Sequence, residues 1–224
     1  MSLPLISAPS PNFGPRPAGC PIDMLVIHYT GMDSGPAALA RLRDPAAEVS
    51  SHYLIEEDGR IFQLVAEEMR AWHAGRSYWR GETDINSRSI GIELVNPGHE
   101  FGYRPFSATQ IAALLALSRQ ILARHPIPAC NVVGHSDVAP ARKQDPGELF
   151  PWQALAEQGL GLWPQSLSSE MMTEAEARTH LAAFGYDPTL SLEDLLQAFH
   201  RHFRPQAVTG ELDGESCALI RGLG

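Results

Sequence analysis

Two short apolar runs that each end in a histidine constrain this chain more than any other feature. Residues 22–30 place Met24, Leu25, Val26 and Ile27 directly before His28-Tyr29-Thr30, and residues 131–134 lead through Val132 and Val133 to His135. Runs this short, apolar and β-branched read as buried strands. In α/β sheets the carboxyl edge of the strands is where sites are assembled. If these two strands are neighbours, both imidazoles reach the same point in space.

The remaining pattern through residues 22–160 alternates strands with helices. A short helix is expected over 36–43, closed by Asp44-Pro45. Residues 51–55 and 60–65 flank Glu56-Glu57-Asp58-Gly59, a hairpin turn signal. Residues 89–95 form another apolar strand, stopped by Asn96-Pro97-Gly98. Ser107 and Gln110 make a capping box for a helix that carries Ile111, Leu114, Leu115, Ile121 and Leu122 on one face and ends near Arg124. Residues 151–158 give a further helix with Pro at its first position. The fold class expected is therefore α/β, a mixed central β-sheet flanked by helices.

Domain limits follow from composition. Residues 1–20, with five prolines at positions 4, 9, 11, 15 and 17, read as an extended lead-in, and 21–160 as the main domain. Residues 161–170 (Trp163-Pro164, Ser166, Ser168, Ser169) read as a linker. Residues 171–224 form a small three-helix domain: Thr173 with Glu176 caps the first helix, which stops at Gly185. Ser191 with Asp194 caps the second, whose Leu195, Leu196, Phe199 and Phe203 share a face, and Asp213 starts the third. Residues 70–86 are irregular and rich in Gly, Trp and Arg, too long for a simple connector and so a candidate functional loop.

Charge narrows the partners. With 26 acidic and 17 basic residues the net charge is −9, the wrong sign for a chain that must neutralise nucleic-acid phosphates or hold to an anionic membrane. No apolar run approaches the ~20 residues of a membrane span. Cys20, Cys130 and Cys217 are too few and too scattered for a disulfide framework or a cysteine zinc site; a single bridge stays open. The first twenty residues lack the basic and apolar segments of a secretory signal, and Ala18-Gly19-Cys20 is only superficially a lipoprotein box. A cytoplasmic location is expected on that ground, with the periplasm or cell envelope as the alternative if a leader has been removed.

Nine histidines are present, and His99, His125 and His180 need no function. His200 and His202 are two apart on a predicted helix and point in different directions, so they do not clasp a metal. His28 and His135 differ because of their strand ends. Ten residues after His135, in a loop stiffened by Pro140 and Pro146, Lys143 and Asp145 alternate by two, so in extended chain both side chains point the same way. Two imidazoles, one carboxylate and an open position describe a catalytic rather than a structural metal site. The plain alternative is a proline-braced surface loop with unrelated charges. Glu93 lies within the apolar strand Ile90-Gly91-Ile92-Glu93-Leu94-Val95, where an unpaired carboxylate costs several kcal/mol. Either it is paired with Arg88 or Lys143, or it works as a general base.

Four motifs, taken in order, carry a resemblance: His28-Tyr29-Thr30, Trp72-His73-Ala74-Gly75, Asn86-Ser87-Arg88-Ser89-Ile90-Gly91-Ile92-Glu93, and Gly134-His135-Ser136-Asp137 followed by Lys143-Gln144-Asp145-Pro146-Gly147. Together they resemble the zinc-dependent N-acetylmuramoyl-L-alanine amidases of type 2, relatives of the peptidoglycan recognition proteins, over roughly residues 20–160. Residues 170–224 are similar, on looser motifs, to a three-helix peptidoglycan-binding module. The resemblance implies that His28, His135 and Asp145 bind Zn²⁺, that Glu93 and Lys143 are catalytic, and that the region of Tyr29, Trp72, His73, Asn86 and Arg88 lines the substrate cleft. Arg88 is the expected clamp for a stem-peptide carboxylate, an ordinary ion pair being the alternative, and His52 is expected to pack behind the site. The implied activity is hydrolysis of the amide between N-acetylmuramic acid, or its 1,6-anhydro form, and L-alanine. The implied partners are peptidoglycan fragments or muropeptides, bound by a monomer. A non-catalytic recognition protein on the same fold is the rival reading.

Overall fold

A computed structural model describes residues 3–165 and 168–223; of the expected linker, Ser166 and Leu167 lie outside the described residues. Eight strands form: β1 (Leu5–Ser7), β2 (Phe13–Pro15), β3 (Met24–Tyr29), β4 (Tyr53–Ile55), β5 (Ile61–Gln63), β6 (Met69–Ala71), β7 (Ser89–Leu94) and β8 (Val132–Gly134). The helices among the described residues are α1 (Gly35–Arg43), α2 (Ile85–Arg88), α3 (Gly98–Phe101), α4 (Ala108–Arg124), α5 (His135–Val138), α6 (Trp152–Ala156), α7 (Glu174–Phe184), α8 (Leu192–Phe203) and α9 (Gly214–Arg221). None is long and apolar enough to cross a membrane. All three cysteines are free.

Six strands make one mixed sheet in the order β1-β5-β4-β7-β3-β8, with β4 and β5 the antiparallel hairpin and the other neighbours parallel. The hairpin turns where Gly59 adopts a positive φ of 87°. The lead-in is extended yet paired: β1 adds to the sheet edge beside β5, and β2 pairs antiparallel with β6. Prolines are tolerated there because edge strands leave some N–H positions unused.

The pleat of β3 sorts the core. Leu25 and Ile27 join Ile90, Ile92 and Leu94 under α4 and α6, through Leu114, Leu117, Ile121, Trp152 and Leu155. Met24 and Val26 face the other way, into a cluster that runs through Trp79, Val133 and Val138 to Leu181, Leu195, Phe199, Phe203 and Ile220. The three C-terminal helices thus bury their apolar faces on the sheet face that also carries His28.

Capping follows the sequence with one departure. Ser34, Ser107, Thr173, Ser191 and Asp213 each accept a backbone N–H at a helix start, and Thr173 with Glu176 completes a capping box. Gln110 does not close its box. It is buried, and its amide donates instead to the carbonyls of Ile55 and Val95, both at 3.0 Å. The Ile55 carbonyl also accepts the Val95 N–H at 3.0 Å, so Gln110 adds a second bond there and serves the buried Val95 carbonyl, worth more than a solvent-exposed cap.

Candidate metal centre

Strand register assembles the site. His28 on β3 is paired with Glu93 on β7, and Ile27 with Gly134 on β8, so three adjacent parallel strands present His28, Glu93 and His135 at one edge. Asp145 arrives from the following loop, fastened by the Ser136 N–H donating to its carbonyl at 2.8 Å. A side chain at Gly134 would meet Pro146 at 2.7 Å, so only glycine lets the loop close this tightly. The His28 Nδ1, His135 Nδ1 and Asp145 Oδ2 atoms lie 3.0, 2.9 and 3.1 Å apart, all three residues buried.

Hydrogen bonding around the two rings decides what those nitrogens carry. The Ser89 hydroxyl donates to the Ile85 carbonyl at 2.6 Å, so its oxygen accepts from His73 Nε2–H at 3.1 Å. His73 then has a bare Nδ1, which accepts from His28 Nε2–H at 3.0 Å. His135 Nε2–H donates to the Ala74 carbonyl at 3.1 Å. In neutral rings both Nδ1 atoms are therefore unprotonated and face a carboxylate oxygen. Three lone pairs converge with no proton between them, an arrangement that a divalent cation stabilises and that is repulsive otherwise. Burial supports a neutral ring at His28, which it pushes down to about 4 with His135 adding to it against the pull of Asp145, and at His73, which it holds well below its ordinary value.

Two carboxylates serve this corner differently. Burial raises Asp145, and the His135 charge with hydrogen bonds from both imidazoles lowers it far below the usual range when a ring carries its proton on Nδ1; with both Nδ1 atoms bare, that role falls to a bound cation. Glu93 is raised well above its ordinary value by burial and then by the Asp145 charge, with Lys143 opposing. Its Oε2 is buried without a hydrogen-bond partner. Arg88 does not serve it: that guanidinium pairs with Asp23 and Glu82.

A cleft of about 480 Å³ opens here, lined by His28, His135, Asp145, Glu93, Lys143, Tyr29, Trp72 and His73 among others. Lys143 and Asp145 meet in it by a different route from simple alternation, because the backbone turns at Arg142 and Lys143, whose N–H groups both donate to Ala139. The Tyr29 hydroxyl pairs with His99 Nδ1 at 2.8 Å, and His99 stacks on Tyr103 and reaches Glu148. His99 thus joins the cleft wall although its sequence context gave no signal.

Asn86 and Arg88 lie outside the cleft lining. The Asn86 side-chain oxygen accepts the backbone N–H groups of His73 and Ala74 at 3.0 and 2.8 Å, so it holds the segment that orients both histidines. Arg88 is the ion-pair alternative realised, not a carboxylate clamp. His52 packs behind His73, with ring centroids 5.8 Å apart, and its Nδ1 accepts the Gly91 N–H. The support from Ser89 and the Ala74 carbonyl was not read from sequence. One signal for it existed: Gly91 sits in a strand interior, where a missing side chain marks close approach, and a Cβ there would meet the His73 ring at 2.6 Å.

These features define a hydrolase-type cleft on a mixed sheet whose triad could hold a metal ion, and comparison places the fold. Residues 18–148, more than half of the chain, match the family model described as N-acetylmuramoyl-L-alanine amidase, and the chain belongs to that family. It is 42% identical to the N-acetylmuramoyl-L-alanine amidase AmiD of Escherichia coli, over 90% of this chain and 82% of that one. It is 35% identical to the 1,6-anhydro-N-acetylmuramyl-L-alanine amidase AmpD of Enterobacter cloacae, over 64% of this chain and 84% of that one. The structure of E. coli AmiD with anhydro-N-acetylmuramic acid-L-Ala-D-gamma-Glu-L-Lys superposes with a TM-score of 0.82, covering 92% of this chain and 90% of that one. That of AmpDh3 from Pseudomonas aeruginosa with anhydromuramic pentapeptide gives 0.84 at 36% identity, covering 92% of each.

Proposed function

We propose that this chain is a zinc-dependent N-acetylmuramoyl-L-alanine amidase that cleaves the amide joining (1,6-anhydro-)N-acetylmuramic acid to L-alanine in muropeptides. The observation that carries this is the convergence of His28 Nδ1, His135 Nδ1 and Asp145 Oδ2, stripped of protons, at a cleft that also holds Glu93 and Lys143. The amidase relatives, two of them with anhydromuropeptides bound, support the substrate class.

Two neutral imidazoles and one carboxylate are the donor set of catalytic zinc, which supplies Lewis-acid polarisation and makes water nucleophilic near neutral pH. Glu93 does the proton work. Its raised affinity for protons suits a group that takes one from the attacking water and returns it to the departing L-alanine amine as the C–N bond breaks. The Lys143 side chain lines the same cleft, which supports assigning it to hold the oxyanion that develops on the lactoyl carbonyl. His73 and the Ala74 carbonyl keep the histidine rings in the tautomer that leaves Nδ1 free. The three C-terminal helices are inferred to add peptidoglycan contacts, on the likeness of residues 170–224 to wall-binding modules.

Incubating the protein with 1,6-anhydro-N-acetylmuramyl peptides and weighing the products by mass spectrometry tests the reading. Free anhydro-N-acetylmuramic acid plus a peptide beginning at L-alanine is expected. Cleavage between amino acids, or intact substrate with zinc-loaded protein, would overturn it.

A further inference from the structure

At the end of the first turn of α5, two residues beyond His135, Asp137 is 1% exposed yet carries a full set of donors. Its Oδ2 accepts the Gly134 N–H at 2.7 Å and His202 Nδ1–H at 2.7 Å, and its Oδ1 accepts the Tyr186 hydroxyl at 2.8 Å. Gly134 is the last residue of β8 and cradles the loop that brings Asp145 back. Tyr186 and His202 belong to the C-terminal helical segment, 49 and 65 residues away in sequence. One buried carboxylate therefore ties the strand end, the metal-ligand turn and the C-terminal helices together.

His202 is held for this contact. Its ring is sandwiched between Trp152 and Phe203, with centroids 3.9 Å away on each side and planes within 18° and 12° of parallel. Its Nε2 is buried with no partner, so the ring has one polar outlet, and that outlet is Asp137. Tyr186 is likewise fully buried, edge-on to Trp79 at 5.1 Å. Neither side chain can swing away to another acceptor.

We propose that Asp137, Tyr186 and His202 are positioning residues for the metal ligand His135. On this view the C-terminal helices fix the Asp137 carboxylate, the carboxylate fixes the turn from Gly134 to His135, and the turn sets the direction of Nδ1 towards His28 and Asp145. The C-terminal segment is then part of the metal site's framework, whatever it also binds. The inference rests on the metal reading above.

The test measures zinc affinity of the chelator-stripped full-length chain by competition with a chromophoric chelator, alongside thermal unfolding of the same samples. Asp137→Asn should weaken zinc about 10- to 100-fold, the loss that follows removal of a ligand-orienting partner, and Tyr186→Phe should weaken it in the same direction by less. At position 202 two substitutions separate positioning from packing. His202→Leu fills the aromatic slot but donates nothing, whereas His202→Asn keeps a donor near the place of Nδ1. The proposal expects Leu to lose zinc affinity about 10-fold and Asn to recover most of it. Packing alone reverses that order. Wild-type affinity in Tyr186→Phe and His202→Leu would overturn the proposal, and these two decide the matter if Asp137→Asn does not fold. A stripped wild-type chain that binds zinc no better than His28→Ala would instead overturn the metal reading itself.

Discussion

The loop that carries Asp145 and the strand end that carries Glu93 hold the same functional group in the same cleft and tune it in opposite directions. Asp145 stands against two imidazole nitrogens, and a proton on either ring or a cation between them holds it as an anion. Glu93 has an orphaned oxygen, a neighbouring negative charge and only Lys143 to oppose them, so its affinity for protons is raised. On the proposed reading, neighbours rather than residue type assign one carboxylate to holding a cation and the other to moving a proton.

Substitutions test that division. Asp145→Ala should abolish metal content and turnover together, a loss beyond the ~100-fold expected for any supporting residue, read by elemental analysis and product assay. Glu93→Gln should keep the metal and lose about 10²- to 10⁴-fold in kcat; turnover near wild type would remove Glu93 from the proton path. The same variant has a stability signature in the metal-free protein. Because folding raises the Glu93 pKa, the ionised form is penalised in the native state at neutral pH. Glu93→Gln should therefore raise Tm at pH 7, and the gain should vanish as pH falls below the ordinary carboxylate range, where both states are protonated.

Smaller effects sharpen the account of the support around the rings. Ser89→Ala removes the acceptor that fixes the His73 tautomer, and zinc affinity should fall ~10-fold, with about 1–3 kcal/mol lost in unfolding because a buried N–H is orphaned. Asn86→Ala orphans two buried N–H groups and should cost about 1–3 kcal/mol in denaturant unfolding. Arg88→Ala breaks a partly exposed pair and should cost no more than about 1 kcal/mol, leaving KM for the muropeptide unchanged. A raised KM would restore Arg88 as a substrate clamp.

Legibility in the sequence followed locality. Strand ends at His28 and His135 and caps at Ser107, Thr173, Ser191 and Asp213 are written in neighbouring residues, and the structure has them. The parallel adjacency of β3, β7 and β8 was a conditional in the sequence and is a pairing in the fold. What did not show was support between distant segments. The resemblance implied that His73 and Asn86 line the cleft; His73 does, whereas Asn86 spends its side chain on backbone N–H groups. His202 looked idle because only the fold brings it to Asp137. Short edge strands in the lead-in were masked by their prolines, since pairing there depends on the sheet they join.

Anomalous diffraction at the zinc edge from crystals of the zinc-loaded protein tests the central claim most directly. A single strong peak in contact with His28 Nδ1, His135 Nδ1 and Asp145 Oδ2 is the result expected. A peak bound through either Nε2, or none within reach of these three atoms, would contradict it.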